Sequence, residues 1–447
     1  MRRLVAINTP RFGALLMLLL AVGLLALVET KPAYAKAFTV NSTVDDEDSN
    51  PGNGVCQVEG FVFGCSLRAA IEEANEYPGA DTINFNIPAV DPNCDASGVC
   101  TISPSGELPE IDQRLTINGY SQPGAKVNTK KQVGSDAVLK IELDGSDAGS
   151  GAGAGADGLL VSASNSVVKG LVINRFEGDG VFIPSGVTGA KVQGNFIGTD
   201  AEGADDLGNG DSGVQVSGNN NTIGGRRPGQ RNLISGNVRG VEITGAEATR
   251  NKVQGNHIGT EAGGGFDLGN DSSGVHILFD ASDNLVGGSR SGHTNKIENS
   301  NDGVRVSSGT GNRILRNSTA DNSDLGIDLN SDGETANDGP GDADIGANNL
   351  QNYPEITSAT ASGKYVLVKG TLESAPNTTF AIQIFLTLSA NEGTFFSGKK
   401  SVTTNSNGEA SFKLTIKKSA NSALDVTATA TDPGGNTSEF SDPVAVT

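Results

Sequence analysis

The chain has 447 residues and carries 32 Lys and Arg against 52 Asp and Glu, a formal net charge of −20. That acidity excludes a nucleic-acid binder, which needs a basic face to displace phosphate counterions. Its 61 glycines follow no G-X-Y period, which excludes collagen, and the lack of Trp leaves an aromatic-lined groove poorly supplied.

Arg2, Arg3 and Arg11 precede or flank the start of a run of 16 small and apolar residues, Gly13 to Val28, and Ala33-Tyr34-Ala35 follows. A basic start, a short apolar stretch and a small-x-small site describe a secretory signal peptide over 1–35, cleaved before Lys36. Sixteen residues fall short of the roughly 20 that span a bilayer, and no later stretch approaches that length. The mature chain, with a net charge of −23, is therefore expected to be secreted or displayed at the cell surface, with no integral membrane segment. Asp45-Asp46-Glu47-Asp48 reads as a solvated turn.

Cys56, Cys65, Cys94 and Cys100 lie within 45 residues, with no C-x-x-C spacing and no nearby His. Zinc is therefore poorly supported, and an even count in an exported chain reads as disulfides. Of three possible pairings, Cys56 with Cys65 and Cys94 with Cys100 closes the shortest loops. Between the clusters, Leu67, Ala70, Ile71 and Ala74 set one apolar face of a helix that Ser66 caps and Pro78-Gly79 ends. Asp81 to Phe85 alternates as a strand.

Cys65-Ser-Leu-Arg-Ala-Ala-Ile71, Ala74-Asn75 and Gly79-Ala-Asp-Thr-Ile83 resemble the CSLREA-type leader of exported bacterial β-helix proteins. Ala69 departs from that pattern, which has Glu there. A Glu three residues after the Ser cap would complete a capping box, so the helix start is expected to be slightly weaker.

The middle of the chain repeats. Gln193-Gly-Asn-Phe-Ile-Gly-Thr-Asp200 returns 61 residues later as Gln254-Gly-Asn-His-Ile-Gly-Thr-Glu261, and Leu207-Gly-Asn209 returns as Leu268-Gly-Asn270. Self-similarity at a near-fixed period marks a solenoid. A finer mark is Gly before an aliphatic residue, at 158, 180, 213, 240, 274, 303 and 326. Those spacings fit coils of a right-handed parallel β-helix, two coils to the longer period. Asn165, Asn221, Asn251, Asn284 and Asn312 form one stacked set; Asn195, Asn237, Asn256, Asn299 and Asn317 form another. Stacked Asn tolerates left-handed turns and bonds to its neighbours above and below, so both sets read as turn ladders.

Asp328-x-Asn330-x-Asp332-Gly333 has the first half of a calcium loop, with oxygens at alternate positions. Its twelfth position is Gly339 instead of the closing Glu, so Asp338, Asp342 and Asp344 would have to supply the missing oxygens. Structural calcium is one reading of this segment, and an acidic solvated linker over 331–354 is the other. Beyond it, Tyr365–Val368, Phe380–Leu386, Ala410–Ile416 and Leu424–Ala430 read as strands of an antiparallel β-sandwich.

The order of parts is similar to a family of secreted bacterial right-handed β-helix proteins with a C-terminal sandwich. The matching phrases are Cys65–Arg68, Asn118–Gly124, Gly194–Asp200, Asn348–Pro354 and Ala430–Phe440. The resemblance implies export and surface display and no established reaction. The expected fold is all-β: an N-terminal helix-containing cap over 36–110, a right-handed parallel β-helix over 111–330, the linker, and a sandwich over 355–447.

Catalytic residues are not identifiable from the sequence. Asp205-Asp206 resembles the aspartates of β-helix polygalacturonases, but the Gly-His-Gly and Arg-Ile-Lys elements of those enzymes are absent, so surface charge is expected. Arg239, Arg305 and Arg313 are candidates by type, and Arg226, Arg227 and Arg231 cluster in one loop that could contact an acidic glycan or merely offset nearby acid. The leading expectation is a monomeric structural or binding protein that contacts a polysaccharide or cell-surface glycan. The alternative is a polysaccharide lyase or hydrolase on the same scaffold. Convergent acidic and basic groups on one sheet face would favour the enzyme; a face tiled with Asn, Ser, Thr and Val would favour the binder.

Overall fold

Short strands rich in Val and Ile bury their apolar side only when coils stack, and stacking organises this chain from residue 37 onward. The computed structural model describes residues 34–60, 64–131, 134–149, 155–265, 268–418 and 424–447. The expected leader, apart from Tyr34 and Ala35, lies outside the described residues. Three parallel sheets of nine, eight and seven strands run along a solenoid. Each full coil contributes one strand to each sheet, as in Lys191–Gln193, Phe196–Ile197 and Ser212–Val216.

Inward positions stack in rows. On the third sheet Val181, Val214, Val241, Val275, Val304 and Ile327 pair strand to strand. Ile173, Ile197, Ile234, Ile258 and Ile297 do so on the second. All are essentially excluded from solvent and belong to one continuous apolar core. The repeating glycines sit where this core is tightest: a Cβ on Gly240 would lie 2.4 Å from the Gly274 carbonyl oxygen and 2.6 Å from Ile258.

The corners are asparagine ladders, sorted differently from the expectation. Asn221, Asn251, Asn284 and Asn312 line the corner before the first sheet, each N–H donating to the next amide oxygen at 2.8–3.1 Å. Asn195, Asn232, Asn256, Asn295 and Asn317 form the next corner. Asn209, Asn237 and Asn270 form a third. Asn165 instead takes a left-handed turn at φ 64°, and Ser166 occupies its place. Asn299 also turns left-handed, and Asn237 belongs to the third ladder. Periodicity alone could not separate corners that all favour Asn.

Parallel pairing starts well before the expected boundary at 111. Ala37–Val40 pairs with Asp81–Phe85, which pairs with Leu115–Asn118. Cys100–Ile102 opens the second sheet. The helix Leu67–Glu76 packs its buried face, Leu67, Ala70, Ile71 and Ala74, into the end of the same core. Ser66 caps it by accepting from the Ala69 N–H at 2.9 Å. Cys56 is bonded to Cys65 and Cys94 to Cys100. Asp45 is a structural anchor, not a solvated turn: its carboxylate accepts from Arg68 at 2.9 and 3.0 Å and from the Ser105 N–H at 2.8 Å. Asp48 likewise accepts from the Gln57 N–H.

After Ile327–Leu329 the chain forms two antiparallel three-stranded sheets. Their facing residues, among them Val366, Val368, Ile382, Ile384 and Val426, make one separate apolar cluster. This region closes the last coil. Asn348 accepts from the Asn312 N–H, Thr437 from the Ile314 N–H and Glu439 from the Leu329 N–H. The segment 331–354 is thus more than a linker, because Asn348 adds a rung to the first ladder. Among the described residues no helix is long and apolar enough to cross a membrane.

Candidate functional site on the third sheet

Strand alternation that turns Val and Ile inward turns every second residue outward, so one outward row runs across the third sheet. It reads Phe182, Gln215, Glu242, His276, Arg305 and Asp328, each paired in register with the next. Neighbours in such a row stand about 4.8 Å apart. Beside it, Arg239, Ser273 and Asp302 form a second row. Arg239 and Arg305, candidates by type in the sequence, therefore share one face. Arg313 does not: it lies on the first sheet and reaches the Gly434 carbonyl at the junction with the C-terminal region.

Each arginine is held by two carboxylates. Arg239 pairs with Asp211 and, at 3.3 Å, with Glu242, whose other oxygen accepts from Gln215 at 3.2 Å. Arg305 pairs with Asp302 and, at 3.5 Å, with Asp328. Three of the four acids are buried, Asp302 at 0%, Asp328 at 2% and Glu242 at 6% exposed, whereas the Asp211 side chain is 43% exposed. The arginine side chains keep 28% and 24% of their surface in solvent. Paired in this way, the guanidinium groups are oriented in advance, and little rotamer freedom is left to lose on binding.

Burial raises the carboxyl pKa values here, and the arginines pull them back only in part. Asp328 is pushed up to about 6 by burial and by Asp302, against Arg305. Asp179 rises to about 8, chiefly by burial, with Asp157, Asp211 and Glu242 adding repulsion. Glu242 and Asp302 shift upward for the same first reason. His276 is pushed down to about 4 by burial and then by Arg239 and Arg305. Its imidazole is therefore neutral at pH 7; Nε2 shares a 2.7 Å hydrogen bond with Ser307 Oγ, and Nδ1 is buried without a hydrogen-bond partner.

The six residues of the calcium-loop reading divide. Asp328 belongs to the row just described. Asn330 takes a left-handed φ of 72° and donates its N–H to Val306, while Asp332 is exposed. Asp338, Asp342 and Asp344 converge, with carboxylate oxygens within 4.8 Å of one another. Asp342 accepts from Gln351 Nε2 at 2.8 Å and from Ser374 Oγ, and Asp338 accepts from Asn352 Nδ2 at 3.1 Å. Asp344 keeps a buried oxygen without a hydrogen-bond partner. Burial, with repulsion from its two neighbours, pushes Asp342 up to about 6. Hard carboxylate oxygens in a small group are a donor set that suits calcium.

The sequence reading missed Glu242, His276, Gln215 and Phe182. Their one signal was the Gly-aliphatic mark: counting two residues past each aliphatic position that follows the mark's Gly identifies the inward row, and the residue between is the outward one. Asp205 and Asp206 sit in the insertion 199–208 that folds over the second sheet, away from this face.

No family model matches the chain, and no curated protein matches it. Among solved structures, the chain is similar to the tailspike protein gp49 of Acinetobacter baumannii bacteriophage Fri1, described as a capsular polysaccharide depolymerase. The two are 10% identical, and the match covers 81% of this chain and 68% of the tailspike at a TM-score of 0.18. A superposition that loose carries no argument, and the β-helix assignment rests on the strand pairing of this chain.

Proposed function

We propose that the protein is an exported β-helix that binds a neutral, hydroxyl-rich polysaccharide along the outward row of its third sheet. The observation that supports this reading is the inverted exposure of the ion pairs. Arg239 and Arg305 reach solvent, while Glu242, Asp302 and Asp328 beside them are nearly excluded from it; Asp211, the second acid on Arg239, is the partly exposed exception. Fixed donors spaced by strands, with Gln215 and the half-buried ring of Phe182 beside them, suit a chain of hydroxyls and sugar faces. The surplus of acids on this face disfavours an anionic polymer.

Catalysis is the weaker reading, although ionisable groups do converge. A glycosidase needs two reachable carboxyls about 5–9.5 Å apart. Glu242 and Asp328 stand three strands apart, about 14 Å at ordinary strand spacing, and Asp302 offers no surface. Asp211, which shares Arg239 with the buried Glu242, is the one carboxylate of the four that reaches solvent. The test is a panel of neutral and acidic polysaccharides with binding and product release measured together. Binding of neutral chains without release supports the reading; release of oligosaccharides would replace it with the enzyme.

A structural calcium at Asp338, Asp342 and Asp344 is part of the proposal. Calcium is expected to raise the melting temperature in proportion to the logarithm of its concentration above the dissociation constant. Asp342→Asn is expected to abolish that response and Asp332→Ala to leave it intact. Equal melting of wild type and Asp342→Asn with and without calcium would reduce the trio to a hydrogen-bonded turn.

A further inference from the structure

A second binding site lies on a different face. Over the C-terminal end of the second sheet, a cavity of ≈ 280 Å³ is lined by Lys131, Arg226, Arg227, Arg231, Lys296 and the ring of Phe395, with no Asp or Glu in its wall. In a chain of net charge −20 such an island needs a reason. Two of these cations have one. Arg231 donates to the carbonyls of Lys130, Gly134 and Gly255 and so ties the loop around residue 130 across the sheet, and Lys296 pairs with Glu298 at 2.6 Å.

Arg226 and Arg227 have no such employment. Among the described residues no carboxylate lies within 4.0 Å of either, and both are exposed on the turn after Gly225. The field of Arg226 is felt nearby: the His293 pKa is lowered by burial first, then by Arg290, Arg226 and Lys252. The turn itself is well fixed. The Gln230 side chain accepts from the Arg227 N–H at 3.2 Å, and Gly225 at φ 154° has no room for a side chain beside Gln230. From the other side, the C-terminal region brings Phe395, 51% exposed, to the cavity edge, where Ser318 Oγ donates to the Thr394 carbonyl at 2.7 Å.

The geometry points to a binding site for an acidic sugar, with Arg226 and Arg227 taking the carboxylate and Phe395 the apolar face of the pyranose ring. Guanidinium groups match carboxylates in a two-point fork, and an exposed aromatic ring stacks on the C–H face of a sugar. The volume lies near the lower end of ligand cavities, about 300–1,000 Å³, which fits one or two sugar units and not a folded partner. The site is separate from the third-sheet row in residues and in ligand charge, so either stands without the other.

The test is calorimetric titration of the whole protein with galacturonic acid trisaccharide, the neutral galactose trisaccharide and sodium sulfate. The acidic trisaccharide is expected to bind at least about tenfold tighter than the neutral one, with affinity that falls as salt rises. Arg226→Ala with Arg227→Ala is expected to lower that affinity by at least about tenfold while the melting temperature holds, since both residues are exposed. Phe395→Ala is expected to weaken the trisaccharide several-fold and to leave sulfate unaffected. Equal binding of the two trisaccharides, no binding of either, or full affinity in the double arginine variant would overturn the site. Sulfate displacing the trisaccharide with Phe395→Ala silent would make it an anion site and overturn the sugar assignment.

Discussion

The second and third sheets share one interior and differ outside. Their inward rows are interchangeable stacks of Val and Ile. Outward, the middle of the second sheet carries Val172, Phe196 and Leu233, buried under Ala201 and Ala262 from inserted loops and under Tyr120. The row then turns polar at His257, Lys296 and Ser318. The third sheet carries the polar series Gln215, Glu242, His276 and Arg305, of which Gln215 and Arg305 are half-buried and Glu242 and His276 buried. The inward rows settle the fold, and the outward rows decide what each face does. An apolar outward row demands a lid, and the Gly-Thr-Asp…Leu-Gly-Asn insertions supply it; a charged row can face water.

The largest expected difference between the faces is in stability. Phe196→Ala, under the lid, is expected to cost about 3–5 kcal/mol, read as a lower denaturant midpoint, with neutral-glycan affinity retained. On the open face, Gln215→Ala is expected to cost within about 0.5 kcal/mol, the range of surface changes, while weakening glycan binding. If Gln215→Ala unfolds the protein as readily as Phe196→Ala, the third face is structural and the contrast fails.

The two sheets end alike, on a buried Glu of the C-terminal region, which pH can expose. The last strand of the third sheet donates the Leu329 N–H to Glu439, and Asn322, after the last strand of the second, donates to Glu392. Burial pushes both carboxyls up to about 7. A carboxyl whose folded pKa lies above its unfolded value contributes its full stability below the unfolded pKa, near 4.5. That contribution is lost as pH rises to about 7. Stability is therefore expected to fall between pH 5 and 8 by on the order of 1–3 kcal/mol for each carboxyl, read as a lower melting temperature. Glu439→Gln keeps an acceptor and removes the titration, so it is expected to flatten part of that slope. An unchanged slope in the variant would assign the dependence to other groups, such as Asp179.

A local effect is expected at the N-terminal end. Opening the Cys94–Cys100 loop by Cys94→Ser with Cys100→Ser is expected to cost about 2–3 kcal/mol at most, since short loops restrain the unfolded chain least. Thermal unfolding in the two redox states checks it.

Much of the fold was legible because a coil must repeat to bury itself. The Gly-aliphatic mark, the helix from Leu67 and four C-terminal strands could be read from spacing and alternation. The strands Glu355–Ser362 and Phe395–Thr403 were not: both lie on sheet edges, where most positions are exposed and polar residues fit. The site was less legible. Arg239 and Arg305 stood out by type; Glu242 and Asp302 lie three residues from them, but Asp211 and Asp328 are distant in sequence and meet them only through stacking. Arg226 and Arg227 were visible as a charge cluster, yet Phe395, more than 160 positions on, was not.

The central claim is that the open face binds a neutral polysaccharide and does not cleave it. The most direct measurement compares neutral-polysaccharide affinity and released oligosaccharide for wild type, Phe182→Ala with Gln215→Ala, and Arg226→Ala with Arg227→Ala. The account predicts binding without release in wild type, a loss of at least about tenfold in the first variant, and no change in the second. Released product, or equal affinity in the wild type and the Phe182→Ala with Gln215→Ala variant, would contradict it.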